Sequence, residues 1–325
     1  MSEDIEDLFV GALLGGAIGD ALGSFCEGWS REQILAVADL TGCFRDRLDR
    51  TGAVGYPAGT HTDDTQQTLV LAESILCCGK VNAEDLARRF LDMWRSGTLF
   101  LYGRAFRETM ARLDSGVSRE AAASADQPSN GTVMKIAPVG LWHWAEGEAI
   151  REAALAASSV THRDPRAVAP AVAIAHVVGH LVTHRPLDTD EVVSVAEWSA
   201  RPIHAATGDL LGQVKDLLTM PGEAASLAML EMAEEASADR IPGEAPMTAV
   251  VALEAFLRTP TDYDASVCRA LQAGGDVDTF AAVTGNLAGL YNGMAGLPQS
   301  LVADLLERDR IEGLARALYQ KTIGR

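Results

Sequence analysis

Two short acidic clusters carry the strongest chemical signal in this chain. Thr62-Asp63-Asp64-Thr65 opens one apolar helical stretch, and Asp276-Val277-Asp278-Thr279 opens another far along the sequence. Capping accounts for part of this, since Ser, Thr and Asp at a helix start accept orphan amide protons and complement the helix dipole. One Asp with one Thr at each start would be explained that way. Two closely spaced aspartates at both starts exceed what capping needs, and their repulsion favours a counter-charge. Hard divalent cations bound by carboxylate and hydroxyl oxygens would supply it. Four carboxylates converging in space would suit a pair of Mg²⁺ or Mn²⁺ ions, but linear order does not reveal whether they converge.

The elements around these clusters read as helices. Helical periodicity runs through residues 6–23, 66–78, 83–95, 103–114, 147–158, 166–183, 189–198, 208–218, 223–236, 247–257, 264–273, 278–292 and 298–320, and convincing alternating strands are absent. The expectation is an all-α fold. With no Ser/Gly/Pro-rich linker and no long-period repeat, one domain over residues 1–325 is the simpler organisation. Residues 40–62 and 124–138, broken by Gly and Pro, resist a helical reading; each borders or contains polar motifs, and long irregular loops are often functional. Gly274-Gly275 is expected to close the helix before the second acidic cluster.

Glycines recur every four residues at Gly11, Gly15, Gly19 and Gly23, and again at Gly285, Gly289 and Gly293. An interior helical glycine costs about 0.8–1 kcal/mol relative to alanine, so the first ridge forfeits roughly 3–4 kcal/mol. Close approach of another backbone, or of a ligand, to the bare face would offset that cost. Two tightly crossed helices would put both ends of the chain in a crowded centre.

Hydrophobic residues make up 48% and the formal net charge is −18. Such a surface repels a phosphate backbone, so nucleic acid is an unlikely partner, although bound cations or helix N-termini could still hold a small anion. No apolar run is expected to span a membrane. The acidic start Met1-Ser2-Glu3-Asp4-Ile5-Glu6-Asp7 is unlike a secretory signal, and the five cysteines (Cys26, Cys43, Cys77, Cys78, Cys268) match no zinc spacing. These features imply reduced thiols in a cytoplasmic protein, with Cys77-Cys78 packed at a helix end. His176, His180 and His184 could line one helix face, but the helix is Ala/Val-rich and no nearby carboxylate is expected to complete a site, so they read as packing and surface residues. Trp142-His143-Trp144 reads as helical core or interface.

Taken together, several motifs resemble the ADP-ribosylglycohydrolase family. Gly11-Ala12-Leu13-Leu14-Gly15-Gly16-Ala17-Ile18-Gly19-Asp20-Ala21-Leu22-Gly23, followed by Glu27, resembles its opening. Thr62-Asp63-Asp64-Thr65 resembles its first metal motif, and Gly274-Gly275-Asp276-Val277-Asp278-Thr279 its last. Between them, Ser129-Asn130-Gly131-Thr132-Val133-Met134-Lys135-Ile136-Ala137-Pro138 resembles the central loop and Thr161-His162 the short Thr-His element. The resemblance covers nearly the whole chain in order. It implies an all-α hydrolase that removes ADP-ribose from a modified protein or small-molecule conjugate, with two divalent cations, usually Mg²⁺ or Mn²⁺. The implied metal ligands are Thr62, Asp63, Asp64, Asp276, Asp278 and Thr279. Ser129, Asn130, Gly131 and Thr132 would surround the diphosphate and distal ribose, with His162 close by; taken alone, His162 would read as a structural histidine.

Some positions depart from the family pattern. Val277 stands where Thr is usual and Lys135 where Arg is common. Arginine-directed relatives often carry an Asp at the position of Leu101, which counts against arginine-linked chemistry here. Gly23-Ser24-Phe25-Cys26-Glu27 resembles the serine-directed branch, whose glutamate lies at the metal site. Glu27 is therefore the candidate catalytic carboxylate, with Asp63 or Asp278 as alternatives. A relative that binds ADP-ribose without catalysis, or another metallohydrolase acting on a nucleotide-like substrate, are the competing readings.

Overall fold

The computed structural model describes residues 5–233 and 239–324. The first residues of the acidic N-terminal run and the last of the expected 223–236 helix lie outside that range. Its first helix, Ile5–Gly23, is buried on every side from Leu8 onward, as expected of a helix apolar all round. Its principal neighbour is the helix Val277–Asn292, buried from Val277 to Leu290. The two glycine ridges meet here: a Cβ on Gly11, Gly15 or Gly19 would collide with the carbonyl oxygen of Gly289, Gly285 or Ala281. The close partner is thus backbone, and the lost helix propensity is exchanged for contact between main chains. Tyr263 ties the pair by donating its hydroxyl proton to the Gly15 carbonyl, 2.6 Å away.

A second pair of buried helices, Pro165–Thr183 and Ala245–Arg258, extends the core. Ile5–Cys26 and Pro165–Thr183 are long and apolar enough to cross a membrane by length and composition, contrary to expectation. Buried shares of 94% and 83% make both core helices. Amphipathic helices such as Ala83–Ser96 and Arg104–Asp114 wrap outside them, burying one face each. Caps follow local chemistry: Asn82, Asp164 and Asp188 accept amide protons at their helix starts, and Gly79 and Gly97 end helices at positive φ.

Several expectations need correction. Residues 40–62 contain a small antiparallel ribbon, Arg47–Leu48 against Val54–Tyr56. The stretch 208–218 is two short helices, Ala205–Gly212 and Val214–Thr219. The stretch 298–320 breaks into Gln299–Asp304 and Arg308–Ile323. At that break the Leu306 amide donates to the Gly59 carbonyl at 3.1 Å, and Glu307 takes a left-handed conformation beside His61. Helical periodicity could not foresee a loop docking across it. Cys77 is exposed and Cys78 only half-buried, so that pair is not core packing.

The ridge yields a prediction with two signs. Gly19→Ala should destabilise by about 1–3 kcal/mol, because overpacking forces the helices apart. Gly313→Ala, also helical but with open space around the new methyl, should stabilise by about 0.5–1 kcal/mol. Urea unfolding of the two variants checks this; equal shifts would refute the contact argument.

Candidate active site

The glycine ridge leads directly to the acidic clusters. A Cβ on Gly23 would fall on Asp278 Cα, so the bare end of the first helix lets the second cluster sit against it. One turn earlier, Asp20 is fully buried and acts as the hub of the first cluster. Its carboxylate accepts the Thr62 amide at 2.9 and 3.0 Å, the Thr65 amide at 3.0 Å and the Thr65 hydroxyl at 2.6 Å. Sequence reasoning gave Asp20 no role. The available signal was a single charge in the part of the helix beyond Leu8 that is otherwise apolar all round, which needs partners to be tolerated.

The two acidic clusters converge. Carboxylate oxygens of Asp20, Asp64 and Asp278 lie within 4.8 Å of one another, as do those of Glu27, Asp276 and Asp278. Asp278 belongs to both groups. The Thr62 hydroxyl donates to Asp64 at 2.9 Å and the Thr279 hydroxyl to Asp276 at 3.2 Å. Asp64 Oδ1 is buried with no hydrogen-bond partner, an expensive state for an anion unless a cation meets it. Asp63 is turned differently, accepting from Gln67 Nε2 at 2.6 Å; it lines the cleft but belongs to neither three-carboxylate group.

Glu27 is brought to this cluster by main-chain bonds. Gly275 donates to the Trp29 carbonyl at 2.8 Å and accepts from Gly28 at 2.7 Å. The preceding helix ends at Leu271, so Gly274 and Gly275 do not cap it; both take positive φ and form the turn that aims Asp276. Arg47, from the small ribbon, donates to Glu27 Oε2 at 2.7 Å and to the Ser24 carbonyl at 2.6 Å. The irregular 40–62 stretch thus supplies the clamp on Glu27.

Opposite the carboxylates, the 124–138 loop forms the other wall of a cleft enclosing about 620 Å³ with its mouth. Ser129, Asn130, Gly131 and His162 line it, as do Leu101 and Phe106. Asn130 Nδ2 donates to Asp276 at 2.8 Å and to Thr248 at 3.1 Å, joining the two walls. The Ser129 hydroxyl lies 2.7 Å from His162 Nε2, and Thr161 Oγ1 is 2.9 Å from His162 Nδ1. Thr132 is the exception: it does not line the cleft. Its buried hydroxyl donates to the Ala167 carbonyl at 2.6 Å, which anchors the loop to the neighbouring helix. Leu101 adopts φ +63, a costly conformation for a branched side chain, in the segment that enters the cleft.

Burial and crowding set the charges. Burial, followed by the Asp20 charge, pushes the Asp63 carboxyl up to about 8, and the same causes hold Asp64 well above its usual range. Burial and the neighbouring Glu27 raise Asp278, while burial and Asp276 raise Glu27. Burial also lowers Lys135 to about 7 and His162 to about 3. Lys135 is enclosed by the Gln67 side-chain oxygen at 3.1 Å, the Thr161 hydroxyl at 3.3 Å and the Gly131 carbonyl. It links the residue that holds Asp63 to the Ser129–Gly131 wall.

In metal-free protein, folded Asp63 keeps its proton to about pH 8, whereas an unfolded aspartate releases it near ~3.9. At this group the folded state therefore binds more protons across that window, and its contribution to stability is greatest below the unfolded value and falls as pH rises towards the folded one. In EDTA the melting temperature should drop by several degrees between pH 5 and 8. Millimolar Mg²⁺ should raise it most at pH 8, where a cation no longer competes with protons. Thermal unfolding at matched ionic strength measures both slopes, and a melting temperature in EDTA that rises over this range would refute the assignment.

The ADP-ribosylglycohydrolase family model matches residues 1–325. The ADP-ribosylarginine hydrolase Tri1 of Pseudomonas putida is 27% identical over 98% of this chain and 80% of its own. The ADP-ribosyl-[dinitrogen reductase] glycohydrolase of Rhodospirillum rubrum is 25% identical over 93% of this chain and 91% of its own. A solved ADP-ribosylglycohydrolase-related protein complex superposes with a TM-score of 0.75 at 28% identity, covering 98% of this chain and 99% of the other. With the helical architecture and the converged acidic clusters in hand, these matches establish that the chain belongs to the ADP-ribosylglycohydrolase family.

Proposed function

We propose that this protein is a metal-dependent hydrolase that releases ADP-ribose from a modified target by cleaving the glycosidic bond at the anomeric carbon. The observation that carries the reading is the pair of carboxylate groups sharing Asp278 within one cleft. Hydrolase activity on ADP-ribosylated targets is also what the names of the relatives describe. Asp64, Asp276 and Asp278 would hold two cations, with Asp20 and Glu27 completing the two groups and the hydroxyls of Thr62 and Thr279 beside them. All are oxygen donors, which suits Mg²⁺ or Mn²⁺. Bound there, the cations would polarise the ribose hydroxyls and lower the pKa of water.

The rest of the chemistry falls to the chain. Ser129, Asn130 and the Gly131 backbone offer a hydroxyl, an amide and an unobstructed main chain to phosphate oxygens. His162, neutral through burial, adds a polar contact without a second positive charge. Phe106 and Leu101 form the less polar lining of the cleft. Glu27, oriented by Arg47, removes a proton from the attacking water as its oxygen bonds to the anomeric carbon. The bond from that carbon to the leaving atom breaks, and the leaving group takes up the proton that Glu27 accepted from the water. Leu101 supplies no carboxylate on this wall, which favours a serine-type over an arginine-type linkage.

Incubating the purified chain and Mg²⁺ with peptides ADP-ribosylated on serine or on arginine tests this directly. EDTA-sensitive release of ADP-ribose from the serine conjugate is expected. Release from the arginine conjugate alone would overturn the linkage preference. ADP-ribose binding without release from either would favour a non-catalytic relative.

A further inference from the structure

Far from the cleft, at the other end of the Pro165–Thr183 helix, lies a cluster of a different chemical kind. His180 and His184 have parallel rings with centroids 3.9 Å apart. The next helix, Thr189–Ala200, brings Glu191 to them, its Oε1 3.9 Å from His180 Nε2. This corrects the expectation that no carboxylate completes the site: the partner comes from the neighbouring helix, across the His184–Asp188 turn. One ligand atom from each of His180, His184 and Glu191 lies within 4.8 Å of the others.

Two further observations point to a ligand. His184 Nδ1 lies 3.0 Å from both the His180 carbonyl and the Thr183 hydroxyl; the carbonyl can only accept, so a bond to it puts the proton on Nδ1 and leaves Nε2 its lone pair. Metal-binding histidines are commonly held this way. One turn back, His176 is only 8% exposed, and its Nε2 is buried without a hydrogen-bond partner. Its ring lines the same cavity as His180 and His184, between Trp144 and Trp198.

We infer that His180, His184 and Glu191 form a second cation site, for a borderline transition metal such as Zn²⁺, with His176 at its inner side. Two imidazoles and one carboxylate with an open fourth position match zinc's preferences and are a poor match to Mg²⁺. The catalytic cleft, with oxygen donors only, has the opposite bias. At about 1.5 Å per residue, His180 lies roughly 22 Å along its helix from Pro165, whose end borders the cleft. An ion there pins two helices across their turn, so it acts on stability by mass action and leaves hydrolysis untouched. The net charge of −18 favours accumulation of cations around the fold.

Zinc titration of the full chain by calorimetry, with Mg²⁺ already saturating, decides the matter. Wild type should take up one equivalent of Zn²⁺ with micromolar affinity and melt at a higher temperature. His184→Gln and Glu191→Gln, both at exposed positions, should fold normally and weaken that binding at least tenfold, as should His180→Gln. Asp278→Asn should retain it, and ADP-ribose release in Mg²⁺ should be unchanged in His184→Gln. Absence of zinc uptake by wild type, zinc uptake unaltered in the histidine variants, or its loss in Asp278→Asn would each overturn the site. These results do not depend on whether the cleft hydrolyses ADP-ribose.

Discussion

Asp278→Asn should abolish ADP-ribose release and, in the same protein, raise the melting temperature measured in EDTA. Asp278 is the one carboxylate shared by both acidic groups, so its loss removes charge from each cation position at once. Replacing even a residue that only supports a metal ligand costs about 10–100-fold, so removal of a shared ligand should exceed that range. The stability effect has the opposite sign. Without metal, Asp278 is buried beside Glu27, Asp276 and Asp64, all of which oppose its ionisation. A neutral amide of the same shape relieves that repulsion. Turnover, Mg²⁺ stoichiometry and thermal unfolding with and without Mg²⁺ can be measured on one preparation. A rise in the melting temperature of Asp278→Asn on adding Mg²⁺ as large as that of the wild type would show that Asp278 is not a cation ligand.

Glu27→Ala should lower turnover by roughly 10²–10⁴-fold, the range for a positioned general acid or base, while ADP-ribose affinity changes little. The argument rests on placement. Glu27 is half-buried at the cleft, held by Arg47 at 2.7 Å, and its pKa is raised by burial and by Asp276. A carboxylate raised above its ordinary value is a better base and can also exist as an acid nearer neutral pH. Because Glu27 also lies among the possible cation ligands, the measurement must include cation affinity. Unchanged Mg²⁺ affinity with a collapsed kcat, and loss of one limb of the pH profile, would mark it as the proton carrier. Collapse of both would make it a ligand instead, and near-wild-type turnover would remove it from the mechanism.

Both predictions draw on a cluster whose halves were visible in the sequence but whose assembly was not. Local spacing determined a great deal: the all-α class, most helix starts, the two doubled acidic motifs and the glycine ridges all follow from periods of three to four residues and from capping chemistry. Those signals are local because backbone hydrogen bonding within a helix is local. The resemblance then put the acidic motifs, the Ser129–Thr132 loop, His162 and Glu27 into one functional sentence, and of the candidate residues it named all but Thr62 and Thr132 line the cleft. What only the tertiary structure decided is which side chains meet across long separations. Asp20 holds Thr62 and Thr65 from a helix more than 40 residues earlier, and the glycine ridge sets that helix against the backbone that carries Asp278. Arg47 finds Glu27 through an irregular ribbon, Thr132 turns inward to the Ala167 carbonyl, and Glu191 reaches two histidines from the next helix. Each of these depends on how elements pack, a property of the whole core, and no residue's immediate neighbours in sequence encode it.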